Sequence, residues 1–256
     1  MISIDINCDM GEGFANDALL MPFISSANIA CGFHAGDLET MVRTVQLAKQ
    51  HNVAIGAHPG FADKENFGRV EMNLPAADIP KLITTQLQVM QNVCEAEHMP
   101  LHHVKPHGAL YNMAAKNAAI AKAIVDAIIS FNSELILYGL SGSYLMTEAK
   151  KAGLQTASEV FADRTYQDDG SLTSRTNSGA LINDFETAGS QVLNMLLHQK
   201  VLSVNNLPVS IIAETICLHG DGVHVVEFAK TIHQSIRQNN IILEAPAFHK
   251  TEQQAD

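Results

Sequence analysis

The 256-residue sequence has no tryptophan, and its aromatic content is only 5%. The stacking platforms common in sugar clefts are therefore poorly supplied. Basic residues are scarce as well: 16 Lys and Arg against 27 Asp and Glu leave a formal net charge of −11. Nucleic acid and anionic membrane surfaces both need a field of positive charge, so neither is an expected partner. No apolar run approaches the ~18 residues of a membrane span, and no basic-then-apolar leader opens the chain. The four cysteines (Cys8, Cys31, Cys94 and Cys217) lie far apart without a CxxC pair, which argues against a disulfide framework or a zinc ribbon. Nucleotide signatures are missing too. The P-loop pattern is absent, Gly11-Glu12-Gly13 lacks the third glycine of a dinucleotide fingerprint, and the Glu12 carboxylate would repel a pyrophosphate. Gly139-Leu140-Ser141-Gly142-Ser143 has the wrong spacing for a nucleophile elbow, and no HExxH occurs.

What the chain does have is enough apolar content, 46%, to bury a sizeable core. The expectation is a soluble enzyme of the reducing cytoplasm. Short apolar runs of strand character (Ile2 to Ile6, Ala27 to Cys31, Val53 to Ala57, Leu101 to Val104, Leu135 to Tyr138, Leu154 to Ala157, Ile211 to Leu218, and a weaker Ile241 to Leu243) alternate with stretches of helical period. Ile120, Ile124, Ile128 and Phe131 mark one helix; Leu181, Phe185, Ala188 and Val192 mark another. Asp37 is placed to cap a helix through Met41 and Val45, Gly153 suits a helix end, and Pro80 suits the first turn of a helix over Ile79 to Cys94. Repeated βα units predict a mostly parallel sheet of the α/β class, either open or closed into a barrel. No linker divides the chain, so residues 1–250 are expected to form one domain, with 251–256 as a solvated tail.

The informative polar residues follow the strands. Asn7, Asp9 and Glu12 follow the first, His34 and Asp37 the second, His58 the third, Lys105 and His107 the fourth, and His219 the last. In α/β proteins the C-terminal strand ends face one side, where ligands bind. Four of the twelve histidines thus converge on one mouth. Any one of them alone reads as a turn or capping residue; together with Lys105, Asp9 and Glu12 they read as one site. His51, His98, His198 and His233 fall within or at the ends of helices, where surface or capping roles suffice.

These strand-end sequences carry a resemblance. DINCDMGEGF (Asp5 to Phe14), SSANIACGFHAGD (Ser25 to Asp37), GAHPGF (Gly56 to Phe61), FGR (Phe67 to Arg69), HVKPHGALYN (His103 to Asn112), EVFADRTYQDDGSL (Glu159 to Leu172), SRTNSGA (Ser174 to Ala180) and CLHGDG (Cys217 to Gly222) are similar to the LamB/YcsF family. Val70 departs from it, standing where a second basic residue is expected, and Asp63-Lys64-Glu65-Asn66 is unusually charged. The resemblance implies a distorted (β/α) barrel of about seven strands, like the glycoside hydrolase/deacetylase barrel. It also implies the A component of an ATP-dependent 5-oxoprolinase, which opens pyroglutamate to L-glutamate as ATP becomes ADP and phosphate. Partner subunits B and C would then supply much of the ATP chemistry that this chain has no motif for.

A γ-lactam resists hydrolysis, so its opening calls for a base, a proton donor to the ring nitrogen and stabilisation of developing charge. Asp9 is the candidate base, His58 or His107 the donor, and Lys105 the holder of an oxyanion or phosphate. Substrate contacts are expected from Asn7, Glu12, Asn28, His34, Arg69 and His219, with Arg69 clamping a carboxylate. Glu159, Asp163 and Arg164 are weaker candidates for ordering a rim. Asp9, His34 and His58 have the ligand types for a divalent metal. Two rivals stand beside this reading: a metal-dependent hydrolase or deacetylase acting alone, and a non-catalytic scaffold within the complex.

Overall fold

A computed structural model of the chain describes residues 2–218 and 225–248. The first strand, β1 (Ser3–Met10), sets the pattern for the rest. Ile4, Ile6, Cys8 and Met10 alternate with Asp5, Asn7 and Asp9, and from Ile4 onward every one of these residues is buried. Because successive strand residues point to opposite faces, the apolar set joins the large core beneath the helices. The polar set faces inward and bonds to groups on neighbouring strands.

Among the described residues nine more strands follow: β2 (Ser26–Ala30), β3 (Ala54–His58), β4 (Leu101–Val104), β5 (Ile136–Leu140), β6 (Thr156–Phe161), β7 (Lys200–Leu202), β8 (Pro208–Ser210), β9 (Thr215–Leu218) and β10 (Ile242–Leu243). β1 to β6 pair in sequence order, all parallel, and β9 pairs with both β6 and β1. Seven strands therefore close into a parallel barrel. β10 adds to the start of β1, with Ser3 opposite Ile242, and β7 and β8 form a separate antiparallel hairpin.

The helices are α1 (Asp17–Leu20), α2 (Leu38–His51), α3 (Ile79–Ala96), α4 (Gly108–Lys116), α5 (Ala118–Asn132), α6 (Tyr144–Lys151), α7 (Phe185–His198) and α8 (Val225–Gln238). Their ends follow local chemistry. The Asp37 carboxylate accepts the Thr40 N–H at 2.8 Å to start α2, Pro80 lies in the first turn of α3, and Asn117 caps α5. Ser143 caps α6 through the Met146 N–H, a structural duty consistent with its not being a nucleophile. All four cysteines are buried thiols, and no described helix is long and apolar enough to cross a membrane.

Several sequence expectations shift. The first strand does not stop at Ile6: Asn7 and Asp9 lie within it, because a lumen lined by hydrogen-bond partners can accept polar residues mid-strand. The sixth strand starts at Thr156 and runs on to Phe161, which puts Glu159 on the strand. Ile211 to Ala213 precede β9 and are not strand; Ile212 is exposed, and only Thr215–Leu218 has a register with β1. Leu181 lies outside α7 and bridges to Arg164 instead. The hairpin of β7 and β8 was not expected. The tail at 251–256 and His219 fall outside the described residues.

The lower lumen is a hydrogen-bonded network. Asp5 accepts from Ser26 at 2.8 Å and Thr215 at 2.6 Å, and Thr215 in turn accepts from Asn7 at 2.7 Å. Tyr138 lies 3.1 Å from the Ser26 hydroxyl and stacks on the ring of His103, with centroids 4.1 Å apart. Gly56 makes room for that ring, since a Cβ there would fall 2.1 Å from His103 Nε2. Burial pushes Asp5 up from 3.8 to about 6, against the pull of its hydroxyl donors.

The sign follows from that shift. A carboxyl that protonates more readily folded than unfolded stabilises the fold below pH 3.8, and that contribution is lost as pH rises through about 6. Asp5→Asn removes this dependence. Its stability relative to wild type, from denaturant titrations, is expected to rise by about 2.4 kcal/mol between pH 4 and pH 7. A difference that is flat with pH would contradict the assignment.

Candidate active site

Lys105 follows β4 two residues after His103, and both side chains enter the lumen. Its ammonium lies 2.9 Å from Asp9 Oδ1 and 2.8 Å from Glu159 Oε1, and it also reaches Asn7 Oδ1 at 3.2 Å and Cys217 Sγ at 3.1 Å. Only 3% of the residue is exposed. Burial opposes the charge, but Asp9 and Glu159, with Cys217, outweigh it and hold the lysine well above its ordinary 10.5. Lys105 is thus a fixed cation. Asn28 donates to the same Asp9 oxygen at 2.8 Å and to Asn7 at 2.7 Å, while its own carbonyl faces His103 Nε2 at 2.8 Å. Tyr111 donates to Glu159 at 2.6 Å. Asp9 is therefore oriented from two sides, and its Oδ2 faces His58 Nε2 at 3.4 Å.

Beside Asp9 stand three buried histidines and Glu12. His58 Nδ1 lies 2.7 Å from the Lys105 carbonyl, so that nitrogen carries the proton. His107 Nε2 lies 2.8 Å from the Phe67 carbonyl and donates likewise. The remaining nitrogens, His58 Nε2 and His107 Nδ1, face each other at 2.9 Å. A cation placed between them would satisfy both. Burial and the neighbouring His58 and His34 push His107 down to about 2, which keeps its ring neutral and that nitrogen available as a ligand.

His34 stacks flat on His107 with centroids 3.8 Å apart, and neither of its ring nitrogens has a hydrogen-bond partner. Burial, with His58 beside it, lowers His34 to about 3. Glu12 Oε1 lies 3.5 Å from His107, 3.6 Å from His34 and 3.8 Å from His58. The four ligand atoms all lie within 4.8 Å of one another. Three imidazoles and one carboxylate converging in this way fit a divalent cation such as zinc.

Asp9, Glu12, His58, Lys105 and His107 line a cavity of about 610 Å³ at the C-terminal mouth of the barrel. Its opposite wall comes from the long segment between β6 and α7, residues 162–184, which supplies Arg164, Gln167, Thr173 and Arg175. Tyr166 anchors that segment, fully buried, its hydroxyl accepting the Phe161 N–H at 2.8 Å.

Of the residues expected from sequence, Asp9, His58, Lys105 and His107 meet at the floor together with Asn7, Asn28, Glu12 and His34. The metal-like group holds His34 and His58 as expected, with Glu12 and His107 in place of Asp9. Arg69 is exposed at the rim and lies over the Phe67 ring at 4.8 Å. Glu159 is not at the rim but buried under Lys105. Sequence reasoning passed over His103, Tyr111 and Cys217. For His103 a signal was available, since it precedes Lys105 by two positions and so shares its face of the strand.

The LamB/YcsF family model matches residues 4–251. The A component of 5-oxoprolinase from Staphylococcus aureus (strain JH9) is 48% identical over 247 residues, spanning 94% of this chain and 99% of that protein. A crystal structure of the lactam utilization protein from Thermus thermophilus superposes with a TM-score of 0.91 at 38% identity, covering 96% of this chain and all of the other. A deacetylase crystallised with substrate aligns over 94% of this chain and 87% of its own, with a TM-score of 0.51 at 10% identity, and shares the fold alone.

Removing the fixed cation leaves the buried Asp9 and Glu159 carboxylates without their shared counter-charge. Lys105→Met is expected to lose about 3–5 kcal/mol of stability in urea titrations. Adding Asp9→Asn and Glu159→Gln to that variant should restore most of the loss. A Lys105→Met protein as stable as wild type would show that the pairing is not what holds this region.

Proposed function

The chain belongs to the LamB/YcsF family, and from that membership we propose that it is the A component of an ATP-dependent 5-oxoprolinase, opening 5-oxo-L-proline to L-glutamate in the cytoplasm together with subunits B and C. The observation that carries this reading is the oriented Asp9 carboxylate at the floor of a cavity sized for a small molecule. The name of the 48%-identical staphylococcal relative supports the choice of reaction. The sequence offers no phosphate cradle, so activation of the lactam oxygen by ATP is assigned chiefly to the partners, and hydrolysis to this chain.

In that division Asp9 is the general base. Lys105 and Asn28 engage one of its oxygens, leaving the other directed toward the histidine cluster. It takes a proton from the attacking water and returns it to the ring nitrogen as the C–N bond breaks, so that the amine leaves neutral. The O-phosphorylated lactam thereby becomes a γ-glutamyl phosphate, which a second water hydrolyses to L-glutamate and inorganic phosphate. Lys105 stays charged throughout, steadying Asp9 in the ionised form that the first step needs. Glu12, His34, His58 and His107 are proposed to hold a divalent cation. Bound there, such an ion would polarise the lactam oxygen or acidify a water.

Glutamate release from 5-oxoproline and ATP, with the chain alone and with B and C added, tests the assignment. Release is expected only in the full mixture. Asp9→Asn is expected to cut turnover at least a hundredfold while the complex still assembles. An Asp9→Asn complex turning over at the wild-type rate would remove Asp9 from the chemistry, and a silent complex of folded, bound subunits would sink the reaction assigned here.

The metal assignment has its own readout. Elemental analysis of the purified chain after exposure to zinc should find one equivalent, falling below a tenth of that in a His34→Ala, His107→Ala double variant of unchanged circular dichroism. Equal metal in both would refute it. Deacetylation by the metal-loaded chain alone, without ATP, would favour the stand-alone hydrolase instead.

A further inference from the structure

Arg164 is 7% exposed, yet the described residues provide it with little compensation. One terminal nitrogen donates to the Thr173 carbonyl, the buried Nε has no hydrogen-bond partner, and no carboxylate among them forms an ion pair with it. Burial opposes its charge most, Arg175 opposes it next, and Asp163 is the largest of the groups that favour it. Keeping an unpaired guanidinium out of water is costly. Arg164 nevertheless lines the cavity opposite Asp9, with Arg175 beside it and Lys116 and Arg69 along the same rim. In a chain of net charge −11, this is a local excess of positive charge facing a hole.

We propose that Arg164, seconded by Arg175, is an oxyanion-binding subsite that anchors the non-reacting end of the ligand. A guanidinium presents a planar fork of donors that matches a carboxylate or a phosphoryl group bidentately. Thr173, which holds one arm of the fork from behind, fixes its direction. Under the reading given above, the oxyanion is either the carboxylate of 5-oxoproline or the phosphoryl group delivered to the lactam oxygen. This role differs from that expected of Arg69, which is exposed and lies over Phe67. Only the identity of the ligand, not the presence of the subsite, rests on the proposed reaction.

Calorimetric titration of the full chain with 5-oxo-L-proline, with 2-pyrrolidinone (the same lactam without its carboxylate) and with inorganic phosphate tests this. Wild type is expected to bind at least one of the two oxyanions. Arg164→Gln should weaken that binding about tenfold or more, and Arg175→Gln severalfold, while 2-pyrrolidinone is unaffected. Loss confined to 5-oxoproline identifies the carboxylate, and loss confined to phosphate identifies the phosphoryl group. If Arg164→Gln does not fold, the exposed Arg175→Gln and the charge-conserving Arg164→Lys decide. Oxyanion affinity unchanged in both of these, or no oxyanion binding by wild type, overturns the proposal. Wild-type glutamate release in the three-subunit assay, alongside an unaltered KM for 5-oxoproline and unaltered phosphate affinity in these variants, would overturn the subsite while leaving the reaction standing.

Discussion

The site is organised around one buried charge. Lys105 places its ammonium between Asp9 and Glu159 with almost no access to solvent, an arrangement stable only when every partner is present and correctly aimed. That demand spreads outward. Asp9 must also be met by Asn28, Asn28 by His103, and Glu159 by Tyr111. The same chain of partners runs down through Asn7 and Thr215 to Asp5. A barrel whose lumen is filled in this way cannot exchange one of these residues for an apolar one without stranding the next.

The mouth above this charge has two electrostatic halves. On one side, His34, His58, His107 and Glu12 bring ligand atoms to a common point, an arrangement that attracts a cation. On the other, Arg164 and Arg175 face the same cavity from the segment after β6, an arrangement that attracts an anion. Asp9 lies between them, already oriented. A small molecule carrying an amide at one end and an oxyanion at the other satisfies both halves at once, which a simple uncharged ester or amide would not.

Much of this was legible in the sequence, because glycine-rich turns with histidine, aspartate and lysine after successive strands announce a common mouth. The alternation of Ile4, Ile6, Cys8 and Met10 with Asp5, Asn7 and Asp9 was equally plain. It reads as a strand running into a loop only if a lumen is assumed to be apolar. Glu159 was assigned to a rim for the same reason, since nothing local says that Lys105 lies above it. The pairing of Glu12 with His34, His58 and His107 depends on three loops meeting, with His107 N–H bonded to the Pro59 carbonyl and Ala109 N–H to that of Gly68. Such contacts between distant segments leave no periodic trace. Arg164 was visible as a residue, but its burial in the cavity wall with an unbonded Nε was not.

The account depends most on Lys105 being a permanent cation that positions its neighbours and takes no part in proton transfer. The direct measurement is nitrogen-15 NMR of the Lys105 side chain across the pH range in which the barrel stays folded, assigned by comparison with Lys105→Met. The account predicts an ammonium signal, protected from rapid exchange, with no titration up to its ordinary value of 10.5. Deprotonation of Lys105 near neutral pH would contradict it, and would make the lysine itself a candidate for the base role proposed for Asp9.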